Sequence, residues 1–303
     1  MPRNWESTFN FWANALSPTE QEKCDNAERA VRKAIEADST LADKNISIFA
    51  QGSYRNRTNV RQDSDVDICV CCHETVFVND LPQNAASLDE LKLSPLSYGF
   101  SDYKNDVERA LTSHFGRDSV KRGNKAFDIH RNTYRVNADV VPTFEYRRYT
   151  VKDLAGNWKF DKGTAFLCDD GKQVVNWPEQ NYQNGVYKNT QTGRRYKAVA
   201  RILKNLRNEM HTAGRASAGP MASFLLECLA YNVPNTYLMP ADMTDAVKLT
   251  LQHIYANTTE RAMCEEWTEV NEIKYLFHST QGWSYRDVNQ FAFDAWNYIG
   301  LWG

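Results

Sequence analysis

The chain has 303 residues, is 42% hydrophobic, and sets 36 Lys and Arg against 38 Asp and Glu. That length and apolar content allow a large core in one compact unit or in two lobes. The near-neutral balance argues against a protein whose main work is gripping long nucleic acid, and no apolar run is long enough to span a membrane.

The opening stretch MPRNWESTFNFW lacks the apolar segment of a signal peptide, so a cytoplasmic protein is expected. Ser17, Pro18 and Glu20 form a helix start: an N-cap, a proline at the first helical position, and the partner that closes a capping box. Ala27, Ala30, Val31, Ala34 and Ile35 then recur at helical spacing, which predicts an amphipathic helix to about residue 38. Residues 46–51 read as a short strand, Gly52-Ser53 as a turn, and 66–78 as a longer strand rich in β-formers. A helix is expected over 102–115. Strands follow over 127–131 and 134–149 with a turn near Asn132, and short strand candidates lie within 157–176. After about residue 192 the pattern turns helical, with Val199, Ile202, Leu203 and Leu206 on one stripe. The expectation is an α/β core lobe over 1–190, the N-terminal helix included, and a helical lobe over 191–303, with the active site in the cleft of a bilobal molecule.

Seven cysteines is an odd number, and their spacing does not suggest a disulfide framework. Cys69 and Cys72 form a C-x-x-C, but three residues apart on a strand places them on opposite faces. Buried, reduced cysteines are expected. The six histidines are scattered and suggest no zinc site.

The chemistry concentrates in GSYRNRTNVRQDSDVDICV, residues 52–70. Asp65 and Asp67 are two apart on a strand and so share a face. Two carboxylates on one face make a hard oxygen site of the kind Mg²⁺ uses together with substrate phosphates. Gly52 permits close backbone approach, and Ser53 offers a hydroxyl and an N–H to phosphate. Asp139, within NADVVPTF, would be costly in so apolar a strand unless paired or metal-bound. The three acids suit a two-metal site for phosphoryl transfer, with Asp139 also able to take the proton of an attacking hydroxyl. Asp63 is read as turn chemistry.

The combination of G-S, D-x-D and a distant strand Asp resembles the nucleotidyltransferase fold shared with DNA polymerase β. With NADVVPTFEYRRY, VVNWPEQNYQNGVYKNTQTGRRYK and SFLLECLAYNVP, the chain resembles the bacterial cGAS/DncV-like nucleotidyltransferases of the CdnE clade, close to the cyclic UMP-AMP synthases, from about residue 45 to the C-terminus. The resemblance implies a polymerase-β-like α/β core with a mixed sheet plus the helical lobe. It implies a template-independent enzyme that joins two nucleoside triphosphates by successive 3′–5′ transfers and releases pyrophosphate. It also implies an antiphage second messenger, read by a separate effector protein. Gly52 and Ser53 match the phosphate-binding turn. Asp65, Asp67 and Asp139 match the ligands of two Mg²⁺ ions, for which Mn²⁺ could substitute. UTP and ATP are the expected substrates, with no nucleic acid template, no membrane, and a monomeric enzyme.

In the helical lobe, Lys204 lies in ARILKNL with Arg201 and Arg207 three residues to either side, on one helix face. Lys204 and Ser223 match family residues that reach the triphosphate; otherwise they would be a solvated basic stripe and a serine bonded to its own helix. Asn176 in VVNWP carries both a donor and an acceptor and could pair with a uracil edge. The resemblance links an Asn at this position to pyrimidine use and a Ser to purine use. The alternative is a turn Asn before Trp177-Pro178. Tyr54 and Tyr237 could stack on bases or simply fill cores. Other readings of the whole are a purine-only cyclic dinucleotide synthase, an RNA-end or protein nucleotidyltransferase, and a catalytically inert scaffold. The neutral charge and the absence of an RNA-binding appendage argue against the RNA-end reading, the chain's length and helical lobe against the protein reading, and intact Asp65, Asp67 and Asp139 against the inert scaffold.

Overall fold

The computed structural model describes residues 3–60, 65–78, 89–91, 93, 98–131, 135–278 and 281–300. Asp63 and Asn132, both expected in turns, lie outside the described residues. The elements in chain order begin with helices α1 (Trp5–Trp12) and α2 (Pro18–Glu36), strand β1 (Ile46–Gln51), the short helix α3 (Gly52–Asn56), strand β2 (Val66–Phe77) and helix α4 (Phe100–Phe115). Strands β3 (Val120–Arg122), β4 (Phe127–Ile129), β5 (Ala138–Lys152), β6 (Trp158–Leu167) and β7 (Gln173–Asn176) follow. Helices α5 (Pro178–Gln191), α6 (Arg195–Thr212), α7 (Ser223–Asn232), α8 (Asn235–Leu238), α9 (Met243–Asn257) and α10 (Tyr285–Ile299) complete the chain.

The α2 start forms as its residues dictate. The Ser17 hydroxyl accepts from the Glu20 N–H at 3.3 Å, and the Glu20 carboxylate accepts from the Ser17 N–H at 2.9 Å. Such a cap stabilises by about 1 kcal/mol. The helix buries Ala27, Val31, Ala34 and Ile35, the stripe read from the spacing.

Contacts divide the chain into two compact units, one of Ser17–Gly52 and Ser64–Pro178, the other of Met1–Leu16, Ser53–Asp63 and Glu179–Gly303. Both are discontinuous, whereas the sequence reading draws one boundary at 190. The physical reason is local. Phe9 of α1 is buried in the same core as Val199, Leu203 and Phe291. Arg201 on α6 donates to the Ala13 carbonyl at 2.8 Å and also to the Arg57 carbonyl. These contacts hold the first residues and the segment after Gly52 against the helices.

Among the described residues the first unit carries a seven-stranded mixed sheet, with β1-β2-β5-β4-β3 as its main path, β6 pairing with β5 and β7 with β6. β2 and β5 run parallel, while β1 pairs with β2, and β4 and β6 with β5, in the antiparallel sense. β4 meets only the start of β5, residues 138–140, and β6 its later part, residues 144–152. A strand this long can therefore serve two neighbours along one edge. α4 packs on the sheet through Tyr103, whose ring stacks on Phe144 at 5.2 Å and whose hydroxyl donates to the Val70 carbonyl at 2.7 Å. All seven cysteines are buried, and none forms a disulfide with a described residue. Among the described residues no helix is long and apolar enough to cross a membrane.

Candidate active site

The sheet register brings the acids together. Asp67 is paired with Asp139 across the parallel β2–β5 ladder, and Asp128 is paired with Asp139 across β4–β5. Residues opposite one another in neighbouring strands project from the same face. Asp67, Asp139 and Asp128 therefore form a row across three strands, with Asp65 just before β2 as a fourth, exposed acid. Asp128 was not singled out in the sequence. Its only signal there is an Asp between buried Phe127 and Ile129, and its meaning appears once the register is known.

Electrostatics give the row its character. Burial, with the charges of Asp139 and Asp65, raises the Asp67 carboxyl from its ordinary 3.8 to about 6. Asp139 is raised by burial, then by Asp128 and Asp65. Carboxylates that crowd and desolvate one another favour either a proton or a cation. Among the described residues no three His, Cys, Asp or Glu side chains already enclose a metal position. The row and exposed Asp65 offer carboxylate oxygens, the donor type that Mg²⁺ shares with substrate phosphates and water.

Gly52 stands at the end of the row. The residue before it, Gln51, is opposite Asp67 in the β1–β2 ladder. The chain turns into α3 at Gly52 with φ +64°, and a Cβ there would lie 2.2 Å from Oδ2 of Asp67. Only glycine fits both the left-handed backbone and that approach. The Ser53 hydroxyl that follows has no hydrogen-bond partner among the described residues, while its carbonyl accepts from the Thr58 N–H at 2.9 Å.

Asn176 ends β7 opposite Thr164. Its neighbour Trp177 is buried, edge-on to Tyr146 at 5.5 Å. A Cβ at Gly163 would meet the Asn176 carbonyl at 2.7 Å and the Trp177 ring at 2.8 Å, so a bare backbone at 163 lets this corner close. The Asn176 amide forms no hydrogen bond with a described residue and is partly exposed. Its donor and acceptor are both available.

Ser53, Lys204 and Ser223 belong to the helical unit; Gly52, Asp65, Asp67, Asp139 and Asn176 belong to the sheet unit. Lys204 is not the exposed cation that the basic stripe suggested. It is 1% exposed, and its Nζ donates to Glu227 at 3.1 Å and to the Thr58 carbonyl at 3.0 Å. A buried cation needs such partners, and Glu227, 23 residues onward on α7, could not be assigned from the α6 pattern. Ser223, the first residue of α7, accepts from Arg207 at 2.8 Å. Lys197, one turn before Arg201, contrasts with Lys204. Burial lowers its pKa, and its ammonium makes no hydrogen bond or ion pair among the described residues. Tyr54 is buried, whereas Tyr237 is exposed and edge-on to His253 at 5.8 Å.

Known proteins are similar to this chain in sequence and fold. The sequence profile of the cGAS/DncV-like nucleotidyltransferase C-terminal helical domain matches residues 183–300. The chain is 44% identical over 300 residues to a cyclic dipyrimidine nucleotide synthase CdnE of Legionella pneumophila, covering 99% of both chains. It is 35% identical to a cyclic dipurine nucleotide synthase of Elizabethkingia meningoseptica, covering 95% of this chain and 96% of that one. The structure of the Rhodothermus marinus CdnE c-UMP-AMP synthase with Apcpp and Upnpp superposes with a TM-score of 0.83 at 28% identity, covering 98% of each chain.

Proposed function

The chain belongs to the CdnE group of cGAS/DncV-like nucleotidyltransferases, and on that premise we propose that it joins two nucleoside triphosphates, at least one of them UTP, into a cyclic dinucleotide. The observation that carries the chemistry is the lateral pairing of Asp67 with Asp139, with Gly52 held against the Asp67 carboxylate.

Asp65, Asp67 and Asp139 would hold the divalent ions, Mg²⁺ or Mn²⁺, which when bound neutralise developing charge on the triphosphate and lower the pKa of a nearby hydroxyl. In each transfer the 3′-hydroxyl oxygen of one nucleotide bonds to the α-phosphorus of the other. The bond from that phosphorus to the pyrophosphate bridging oxygen breaks, and the hydroxyl proton passes to Asp139 and then to water. A carboxyl with a raised pKa suits that acceptor role. A second transfer of the same kind closes the ring. Ser53, with its uncommitted hydroxyl, and Ser223 are assigned to the triphosphate. The cationic contact expected of Lys204 passes on this reading to Lys197, whose ammonium lies 5.9 Å from the Tyr182 ring and makes no ion pair among the described residues.

Asn176 is assigned to the uracil edge, which presents an N–H beside a carbonyl. The higher identity with the dipyrimidine synthase than with the dipurine synthase supports that choice. The product is then cyclic UMP-AMP or cyclic di-UMP, a second messenger for antiphage defence read by a separate effector. The enzyme itself would act in the cytoplasm as a monomer and without a template.

The test is to incubate purified protein with Mg²⁺ and four nucleoside triphosphates, each in turn labelled at the α-phosphate. A phosphatase-resistant product labelled from UTP, alone or with ATP, is expected. A ladder of longer products, or a product labelled only from purines, would overturn the reading.

A further inference from the structure

A second set of functional groups lies further along the strands that carry the acids. Ser47 of β1, His73 of β2 and Glu145 of β5 form one chain of hydrogen bonds. The Ser47 hydroxyl is 2.8 Å from Nε2 of His73, and the Glu145 carboxylate is 2.7 Å from Nδ1 of the same ring. His73 stands about 20 Å from Asp67 along β2 at the usual rise of a strand, so this set is separate from the acid row.

The sheet builds the set by breaking its own register. Ser47 is opposite Cys71 in the β1–β2 ladder. In the β2–β5 ladder Cys72 is opposite Phe144 and Val76 is opposite Glu145, so His73, Glu74 and Thr75 bulge from β2 opposite no residue of β5. A bulge re-aims side chains, and bulges gather beside active sites. Here the bulged His73 reaches a serine on one neighbouring strand and a carboxylate on the other.

The partners also assign the protons. Burial alone would raise the Glu145 carboxyl, but hydrogen bonds from His73, Lys162 and Arg147 outweigh it and bring the pKa down to about 2. An ionised carboxylate only accepts, so Nδ1 of His73 carries the proton that faces it. In the neutral ring Nε2 is then the bare nitrogen, and it accepts from the Ser47 hydroxyl. Nucleophile, base and orienting carboxylate are the three roles of a serine hydrolase triad, which is recognised by geometry and not by fold or chain order. Arg147 and Lys162, at 2.7 and 2.9 Å from the Glu145 carboxylate, add positive charge beside the set. Such charge favours the oxyanion that develops on a carbonyl under attack. Glu145 is buried, while Ser47 and His73 are partly exposed, so a reagent can reach the nucleophile and its base.

We propose that Ser47 is the nucleophile of a second site, one that hydrolyses carboxylic esters, with His73 as its general base and Glu145 as the residue that positions the imidazole. The Ser47 oxygen bonds to the acyl carbon as the ester C–O bond breaks, and the hydroxyl proton passes through Nε2 of His73 to the departing alkoxide. Water then attacks the acyl carbon, its proton passes through the same nitrogen back to the Ser47 oxygen, and the carboxylic acid leaves. The site does not depend on the proposed synthesis of a cyclic dinucleotide.

The experiment treats the full-length protein with a biotinylated fluorophosphonate and maps the label by peptide mass spectrometry. The Ser47 oxygen would bond to phosphorus, fluoride would leave, and His73 would take the proton. A label on Ser47 is expected in the parent, and Ser47→Ala should lose it. His73→Gln should slow labelling by roughly 100-fold or more, the share of a general base. Glu145→Gln should lower the maximal labelling rate and leave the half-saturating probe concentration near that of the parent. A shifted half-saturation with an unchanged maximal rate would overturn its positioning role. The parent should also turn over p-nitrophenyl acetate, and Ser47→Ala should lose that turnover while forming cyclic product like the parent. Because the label is mapped on the parent, the assignment stays falsifiable where a variant folds poorly. Absence of label at Ser47, or undiminished labelling of a folded His73→Gln, would overturn the site. Equal ester turnover by the parent and Ser47→Ala would overturn the hydrolysis.

Discussion

Lys204 on α6 donates to the Glu227 carboxylate on α7 across 3.1 Å, with both side chains almost wholly withdrawn from solvent. Asn56 and Thr58 complete the cluster, Asn56 donating to Glu227 at 3.2 Å. Breaking a buried pair from one side leaves an uncompensated charge, at a cost of about 3–5 kcal/mol, while removing both partners is often nearly neutral. Lys204→Met should therefore lower the urea midpoint sharply, and Lys204→Met with Glu227→Leu should recover most of the loss. Lys197→Met should behave in the opposite way, leaving stability near the parent and raising KM for the triphosphates. An unchanged KM in Lys197→Met, with a raised KM in a stable Lys204→Met, would return the phosphate contact to Lys204.

Gly52→Ala tests the approach to the acid row. The new methyl carbon would sit 2.2 Å from Asp67 Oδ2 on a backbone at φ +64°, so either the turn or the carboxylate must move. Misplacement of a catalytic group by about 1 Å typically costs roughly 100-fold in rate. We expect turnover to fall by at least that factor while the far-ultraviolet circular dichroism stays that of the parent. Activity within a few-fold of the parent would mean that the Asp67 carboxylate need not remain against the Gly52 turn.

Much of the sheet unit is legible in the sequence because its signals are local. Ser17, Pro18 and Glu20 mark the start of α2, and the run at 66–78 marks β2. What escapes is what depends on partners distant in the chain. α1 is easily passed over, although Trp5, Phe9 and Trp12 stand at helical spacing, because eight residues are marginal without the core that buries Phe9. α5 buries only Gly185 and so carries no apolar stripe. The candidate site divides the same way. Asp65, Asp67 and Asp139 are readable as acids in apolar surroundings, but Asp128 joins them only through the β4–β5 register, and Lys204 withdraws only because Glu227 faces it.

The raised Asp67 carboxyl makes a signed prediction for the metal-free protein. Its pKa is about 6 when folded against an ordinary 3.8, so between these values the folded state binds more protons than the unfolded state. The stability this group contributes is full below about pH 4 and is lost as pH rises through about 6. The two-unit difference corresponds to about 3 kcal/mol. Urea unfolding in EDTA at pH 4.5 and pH 7.5 should show parent protein losing stability relative to Asp67→Asn as pH rises, and Asp67→Asn should be the more stable at pH 7.5. Parallel behaviour of the two proteins would remove Asp67 as the source. Adding Mg²⁺ and a nonhydrolysable triphosphate at pH 7.5 should raise the parent's melting temperature and leave that of Asp67→Asn little changed.

Asn176 decides the base on the reading above, and its substitution separates recognition from catalysis. The partly exposed amide has no partner among the described residues, so Asn176→Ser removes a donor and an acceptor without stranding either one in the fold. Sites that hydrogen-bond a substrate edge discriminate strongly against substrates that leave the edge unpaired, and one lost contact to a neutral group is worth about 1 kcal/mol. In a competition of equimolar labelled UTP and ATP, Asn176→Ser should lose at least roughly fivefold in UTP incorporation relative to ATP, the size such an energy implies. Total phosphate transfer should fall much less, because the acid row is untouched. Equal loss with both nucleotides would make Asn176 a support for the Trp177 corner, and an unchanged ratio would move base recognition to another residue.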